Sequence, residues 1–146
     1  MYRKSCHIFY MEDEELILEN WSTILESKGY RITKAANAVD ALNSIDRFLE
    51  QNEVVNVFML DVIIFPWDPF TEEETLSGYI TGLKVADYII KKYKGIKDDY
   101  KIVFLTAVKG VPGQVNEKVE AYLKENADKC SLLGKPLRLD GLLSLI

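Results

Sequence analysis

Little in this chain suits it to covalent stapling or soft-metal chemistry, for it has two cysteines and a single histidine in 146 residues. Cys6 and Cys130 each lie in an apolar, strand-like run and read as small buried side chains, not as a disulfide framework or metal site. That usage fits a reducing cytoplasm. No window approaches the roughly 18 uninterrupted apolar residues of a membrane-crossing helix. Met1-Tyr2-Arg3-Lys4 is too short for the basic region of a signal peptide and precedes no long apolar core. Excess positive charge is missing as well: a net charge of −5 argues against a direct nucleic-acid surface, which needs clustered Lys and Arg. Internal repeats, low-complexity tracts and Gly/Ser linkers are also lacking. The expectation is one soluble, cytoplasmic domain over residues 1–146 with no membrane contact, of a size that buries about two thirds of its unfolded surface.

What the chain does have is a set of buried runs that end in polar groups. Val57-Phe58-Met59-Leu60 is followed by a lone carboxylate, Asp61, as in a strand covered on both faces that surfaces only at its C-terminal end. Cys6 to Met11 leads to Glu12-Asp13, Ile102 to Leu105 leads to Thr106-Ala107, and Cys130 to Gly134 leads to Lys135-Pro136. A parallel sheet places all such ends on one edge, the edge where ligands collect in open α/β folds.

Between the runs lie helical periodicities. Ile17, Trp21, Ile24 and Leu25 give a first helix over Glu14 to Lys28, with Trp21 inward and Gly29 as its C-terminal cap. Tyr30 to Ala35 alternates as an edge strand. Asn37 and Asp40 form a capping arrangement for a second helix carrying Ala38, Leu42, Ile45 and Leu49. Leu83, Ala86, Ile90 and Tyr93 mark a third helix. Val111-Pro112-Gly113 opens a fourth with Val115, Val119, Tyr122 and Leu123, and Leu137 to Ile146 is a short fifth. Strand and helix alternate five times, which predicts a doubly wound, five-stranded parallel sheet in the order 2-1-3-4-5 with helices on both faces. One connection breaks the pattern. Residues from about 62 to 81, with Pro66, Pro69, Glu72-Glu73-Glu74 and Gly78, far exceed the usual βα loop of about 2–6 residues.

Three carboxylates gathered at one rim repel one another unless positive charge sits among them. A hard divalent cation answers this, since Mg²⁺ takes oxygen ligands, one or two of them carboxylates. Lys135 adds a fixed ammonium and Thr106 a hydroxyl. Together these are the parts needed to move a phosphoryl group onto an aspartate, where catalysis is mostly positioning and charge neutralisation.

With Glu12-Asp13, Leu60-Asp61, Thr106-Ala107 and Lys135-Pro136 in this order, the chain from Cys6 to about Leu137 resembles a response regulator receiver domain of two-component signalling. The resemblance implies that Asp61 accepts a phosphoryl group from the phosphohistidine of a sensor histidine kinase or phosphotransfer protein. Asp13, Asp61 and the main-chain carbonyl of Ile63 would hold Mg²⁺, with Glu12 completing the acidic pocket partly through water. Lys135 would pair with Asp61 and then with the phosphoryl group, and Thr106 would turn to a phosphoryl oxygen beside small Ala107. The output would be a downstream protein or domain, with homodimerisation through the face from helix four to strand five suggested by the resemblance alone. Such a protein is a switch rather than a turnover enzyme.

The chain departs from that pattern in places. Leu132 stands where the family often has an aromatic switch, so the signal would travel through backbone movement. Pro66 lies five residues past Asp61 where four is usual, and the long loop follows. Ile63 and Val108, apolar beside the phosphoryl position, are expected to slow hydrolysis of the aspartyl phosphate.

Plainer readings stand beside these. Glu12 and Asp13 suit the first-turn dipole of a helix. Thr106 suits a cap, Lys135 a surface lysine, and His7 a packed or edge histidine. Trp67 and Phe70 could form a lid or docking loop, but a solvated insertion with one or two aromatics packed down is the simpler expectation. A degenerate receiver, or a flavodoxin-like protein-interaction domain without phosphorylation, is the main alternative. No Gly-rich phosphate loop follows the first strand, where Glu12 to Glu15 would repel a flavin phosphate. A dehalogenase-type phosphohydrolase needs a second Asp where this chain has Ile63.

Overall fold

A computed structural model describes residues 6–107 and 112–146. The expectations for Val108 and Val111 therefore lie outside the described residues. Five strands and five helices alternate: β1 (His7–Met11), α1 (Glu15–Ser27), β2 (Arg31–Ala35), α2 (Ala38–Glu50), β3 (Val57–Asp61), α3 (Thr81–Tyr93), β4 (Lys101–Ala107), α4 (Gly113–Glu125), β5 (Cys130–Lys135) and α5 (Leu139–Leu145). All strand pairs are parallel and the order is β2-β1-β3-β4-β5, the doubly wound arrangement predicted from the alternation.

The period-two geometry of a strand sends alternate side chains to opposite faces, so the continuous apolar runs supply two cores at once. Phe9, Met11, Phe58, Leu60, Ile102 and Phe104 face one layer, built from α2, α3 and α4. Ile8, Tyr10, Val57, Met59, Val103 and Leu105 face the other, built from Leu18 and Leu25 of α1 and Leu142 of α5. Aromatic side chains fill the first layer. Phe58 meets Phe9, Tyr93 and Tyr100 with ring centroids 5.7 to 5.9 Å apart.

Local signals hold with small shifts. Asn37 caps α2 by accepting from the Asp40 N–H at 2.8 Å, and Gly29 takes a positive φ just past α1, as a C-terminal cap requires. In α1 the buried line is Leu18, Ser22 and Leu25, while Ile24 is exposed and Trp21 packs half-buried at the border of the second core. The face is turned one residue from the predicted stripe because this helix has apolar residues on two adjacent lines, and contact with β1 and β2 selects Leu18 over Ile17.

The segment between β3 and α3 packs Phe70 down, as expected, and buries more of its length than a solvated insertion would. Thr75, Gly78 and Ile80 are buried, and Phe70, Leu76 and Tyr79 pack against the first core. The acidic run Glu72-Glu73-Glu74 remains exposed.

His7 opens β1 at the end of the sheet away from the acidic rim. It is buried, with ring nitrogens 2.9 Å from the Val54 carbonyl and 2.7 Å from the Thr33 hydroxyl. Burial pushes its pKa down, only partly opposed by the Val54 carbonyl. The unfolded chain therefore binds the proton more readily, and stability is lost as pH falls through the ordinary histidine value of about 6.5. Urea denaturation from pH 7 to 5 is expected to show the wild type losing stability relative to His7→Asn. At constant pH, Phe58→Ala is expected to cost about 3–5 kcal/mol in the same measurement, the penalty of a cavity where an aromatic ring was fully buried.

Candidate functional site

The carboxyl ends of β1, β3, β4 and β5 meet at one edge of the sheet, and register determines which side chains face each other there. Met11 pairs with Leu60, Asp61 with Leu105, Thr106 with Gly134 and Ala107 with Lys135. Asp61, Thr106 and Lys135 thus lie in the last one or two positions of their strands rather than one step beyond, and Glu12 and Asp13 follow β1 directly.

Lys135 reaches across this edge. Its Nζ lies 2.8 Å from Asp61 Oδ1 and 3.0 Å from Glu12 Oε2. Glu12 is only 1% and Asp61 only 4% exposed, so the ammonium joins two carboxylates that water scarcely reaches. One oxygen from each of Glu12, Asp13 and Asp61 lies within 4.8 Å of the others. Among the described residues, three acids therefore face one ammonium. Asp13 has no cationic partner among the described residues; its Oδ2 accepts a hydrogen bond of 3.1 Å from the Phe65 backbone N–H. The Glu14 N–H donates to Glu12 Oε1 at 3.2 Å.

The charge surplus shows in the protonation equilibria. Burial, and then repulsion from Glu12, pushes the Asp61 carboxyl up, against the pull of Lys135. Burial likewise raises Asp13, opposed by the Phe65 N–H, which favours the ionised carboxylate. Burial alone would lower Lys135, but Asp61 and Glu12 outweigh it and the ammonium is held above its ordinary value. An additional cation bound among the three acids would relieve this repulsion, and an all-oxygen donor set fits a hard one such as Mg²⁺.

The other predicted residues lie on the neighbouring backbone. Thr106 is half-buried, and its hydroxyl has a single long contact among the described residues, 3.4 Å to the Ala107 carbonyl. Ile63 follows β3 in a backbone tied on both sides. The Val62 N–H donates to the Leu105 carbonyl at 3.0 Å and the Ile64 N–H to the Gly78 carbonyl at 3.2 Å. Leu132 on β5 is 40% exposed.

Two contributors had no signal in the hydrophobic pattern. Gly82 begins the close packing of α3 on the site: its N–H donates to the Val62 carbonyl at 2.9 Å. A Cβ there would stand 2.1 Å from the Asp61 carbonyl oxygen, so only glycine lets the helix approach. The Phe65 N–H on Asp13 was equally hidden, because a main-chain donor leaves no trace in residue type.

No protein-family model matches this chain, and no curated protein matches it in sequence. Solved structures do match its backbone. A response regulator receiver domain protein (CheY-like) from Methanospirillum hungatei JF-1 is 20% identical with a TM-score of 0.67, covering 97% of this chain and 90% of that one. A response regulator receiver domain protein from Clostridium thermocellum is 20% identical with a TM-score of 0.65, covering 94% and 87%. The Vibrio cholerae chemotaxis protein CheY4 is 18% identical with a TM-score of 0.64, covering 97% and 99%. At these identities the likeness is one of fold, and it spans nearly the whole of each chain: this protein has the fold of the response regulator receiver domains.

Proposed function

We propose that residues 1–146 act as a receiver domain that takes a phosphoryl group on Asp61 from the phosphohistidine of a histidine kinase or phosphotransfer protein, in a Mg²⁺-dependent reaction. The observation that carries this reading is Lys135 Nζ lying within 3.0 Å of both Asp61 and Glu12, with Asp13 alongside. A structural ion pair needs one acid. Among the described residues, three acids and one lysine at the carboxyl edge of a receiver fold make a charge pattern suited to a cation and a phosphoryl group together.

The chemistry follows from the side chains. A carboxylate oxygen of Asp61 attacks phosphorus, the new P–O bond forms as the P–N bond of phosphohistidine breaks, and the released imidazole leaves with the bonding electron pair. Lys135, already at 2.8 Å from the nucleophile, stays close to the transferred group and balances its charge. The Thr106 hydroxyl, with one long contact among the described residues, would turn to donate to a phosphoryl oxygen and draw the end of β4 with it. Asp13, Asp61 and the Ile63 carbonyl would hold a Mg²⁺ ion, with Glu12 assisting through water, and the ion would supply the remaining positive charge. The result is a switch in the protein's affinity for a downstream protein or output domain, in the cytoplasm, rather than turnover of a substrate. Homodimerisation through the α4–β5 face belongs to the same reading. A phosphorylation-independent interaction domain is the second reading, favoured only by the exposed Leu132 in place of an aromatic switch.

Acetyl phosphate or beryllofluoride with Mg²⁺ tests the main reading by intact mass and Trp fluorescence. Addition of one phosphoryl group to the wild type and none to Asp61→Asn is expected. Labelling that persists in Asp61→Asn moves the acceptor elsewhere.

Electrostatics gives an independent check. Because burial, and then Glu12, push the Asp61 carboxyl up in the folded state against the pull of Lys135, the metal-free native protein gives up this proton at higher pH than the unfolded chain does. Stability therefore falls as pH rises above the ordinary carboxylate range. Metal-free Asp61→Asn is expected to melt above wild type at pH 8, by about 2–4 °C per kcal/mol of repulsion relieved. The gap is expected to narrow toward pH 5, and also at pH 8 when millimolar Mg²⁺ is added.

A further inference from the structure

The long segment between β3 and α3 is tied to the acidic site by its main chain, and two buried threonines tie the segment to itself. Thr81 is fully buried. Its hydroxyl lies 2.9 Å from the Ile64 carbonyl and 3.1 Å from the Gly78 carbonyl. The Ile64 N–H donates in turn to the Gly78 carbonyl, so residues 64, 78 and 81 form one closed hydrogen-bonded knot. Thr75, also fully buried, accepts from the Gly78 N–H at 3.0 Å and donates to the Thr71 carbonyl at 2.9 Å. The Phe65 ring packs edge-on to Tyr79 with centroids 5.9 Å apart. It also lies so close to Gly78 that a Cβ there would meet it at 2.4 Å. The Phe65 N–H emerges from this knot onto Asp13 Oδ2 at 3.1 Å.

We infer that the segment from Ile64 to Thr81 is a brace for the metal site, in which Thr81 is a positioning residue acting through the Ile64–Phe65 main chain on the Asp13 carboxylate. This deepens the phosphoacceptor reading and rests on it. A carboxylate with one oxygen fixed by a backbone donor has a defined orientation, and Asp13 keeps an oxygen within 4.8 Å of those of Glu12 and Asp61. Ile63, whose carbonyl is the proposed main-chain ligand, lies directly before the braced stretch. A partner that holds a metal ligand in place is worth about 10- to 100-fold in metal affinity. The brace also explains why an insertion with three consecutive glutamates buries Thr75 and Thr81: those hydroxyls are spent on its own carbonyls and amides rather than on solvent.

The test is a calorimetric titration of the full chain with Mg²⁺ alone, comparing wild type, Thr81→Val, Thr81→Ser, Phe65→Ala and Asp13→Asn. Valine matches the volume of threonine but gives Ile64 and Gly78 no donor; serine restores the hydroxyl. Phe65→Ala, at a half-exposed position, loosens the ring anchor and covers the case in which Thr81→Val fails to fold. Thr81→Val is expected to weaken Mg²⁺ binding about 10-fold. Thr81→Ser is expected to lie close to wild type, with Phe65→Ala between the two. A purely structural role would lower the melting temperature in EDTA and leave the Mg²⁺ dissociation constant unchanged, and that result in Thr81→Val or, if it does not fold, in Phe65→Ala overturns the brace alone. A wild type that gives no binding heat and no Mg²⁺-dependent rise in melting temperature overturns the phosphoacceptor reading, and the brace with it. Loss of binding in Asp13→Asn with retention in wild type keeps the two outcomes apart.

Discussion

One lysine is responsible for the acidic edge being tolerable at all. Lys135 brings an ammonium to two carboxylates that are almost wholly shielded from water. Without it two like charges would share a medium in which Coulomb repulsion is many times stronger than in solution. Among the described residues the balance is incomplete, since Asp13 adds a third acid whose contact is a backbone amide and not a cation. The described part of the native fold thus carries unrelieved repulsion at this edge, and the sheet and its packed layers fix where those acids stand.

The sheet does most of the holding. Asp61 and Lys135 belong to β3 and β5 with β4 between them, and the register that pairs Asp61 with Leu105 and Ala107 with Lys135 sets how far the ammonium must reach. Both faces of β3 and β4 are covered by apolar layers, whereas β5 at the sheet edge is partly exposed, so a slip of one residue in the covered strands would turn each buried side chain to the wrong side. Packing strength in the two cores is thereby converted into geometric precision at the rim. Gly82 extends the same logic to the helix layer, as its missing side chain allows α3 to approach the main chain of Asp61.

Between these rigid parts runs the segment that distinguishes this chain. Loops of such length are ordinarily mobile or functional. This one is knotted by Thr75 and Thr81 and anchored by Phe65 against Tyr79. Its acidic run is turned to solvent while its main chain is turned to Asp13. Leu132 on β5 is exposed, and the hydrogen-bonded segment is attached to the acids on the β1 side through the Phe65 N–H.

The alternation of buried runs and helical stripes determined the sheet, its strand order and the edge where Glu12, Asp13, Asp61, Thr106 and Lys135 collect, because period and burial are written in residue type. The identities of those five side chains were legible for the same reason, each following an apolar run. Tertiary structure alone decided which line of α1 is buried, because Ile17 and Leu18 are equally apolar and only contact with the sheet distinguishes them. It alone decided that the segment after β3 is ordered, since that order comes from hydroxyl-to-carbonyl bonds between residues far from any periodic pattern. The link from Phe65 to Asp13 also belongs to the fold and not to the letters: every residue except proline carries a backbone N–H, and only the path of the chain decides where it points.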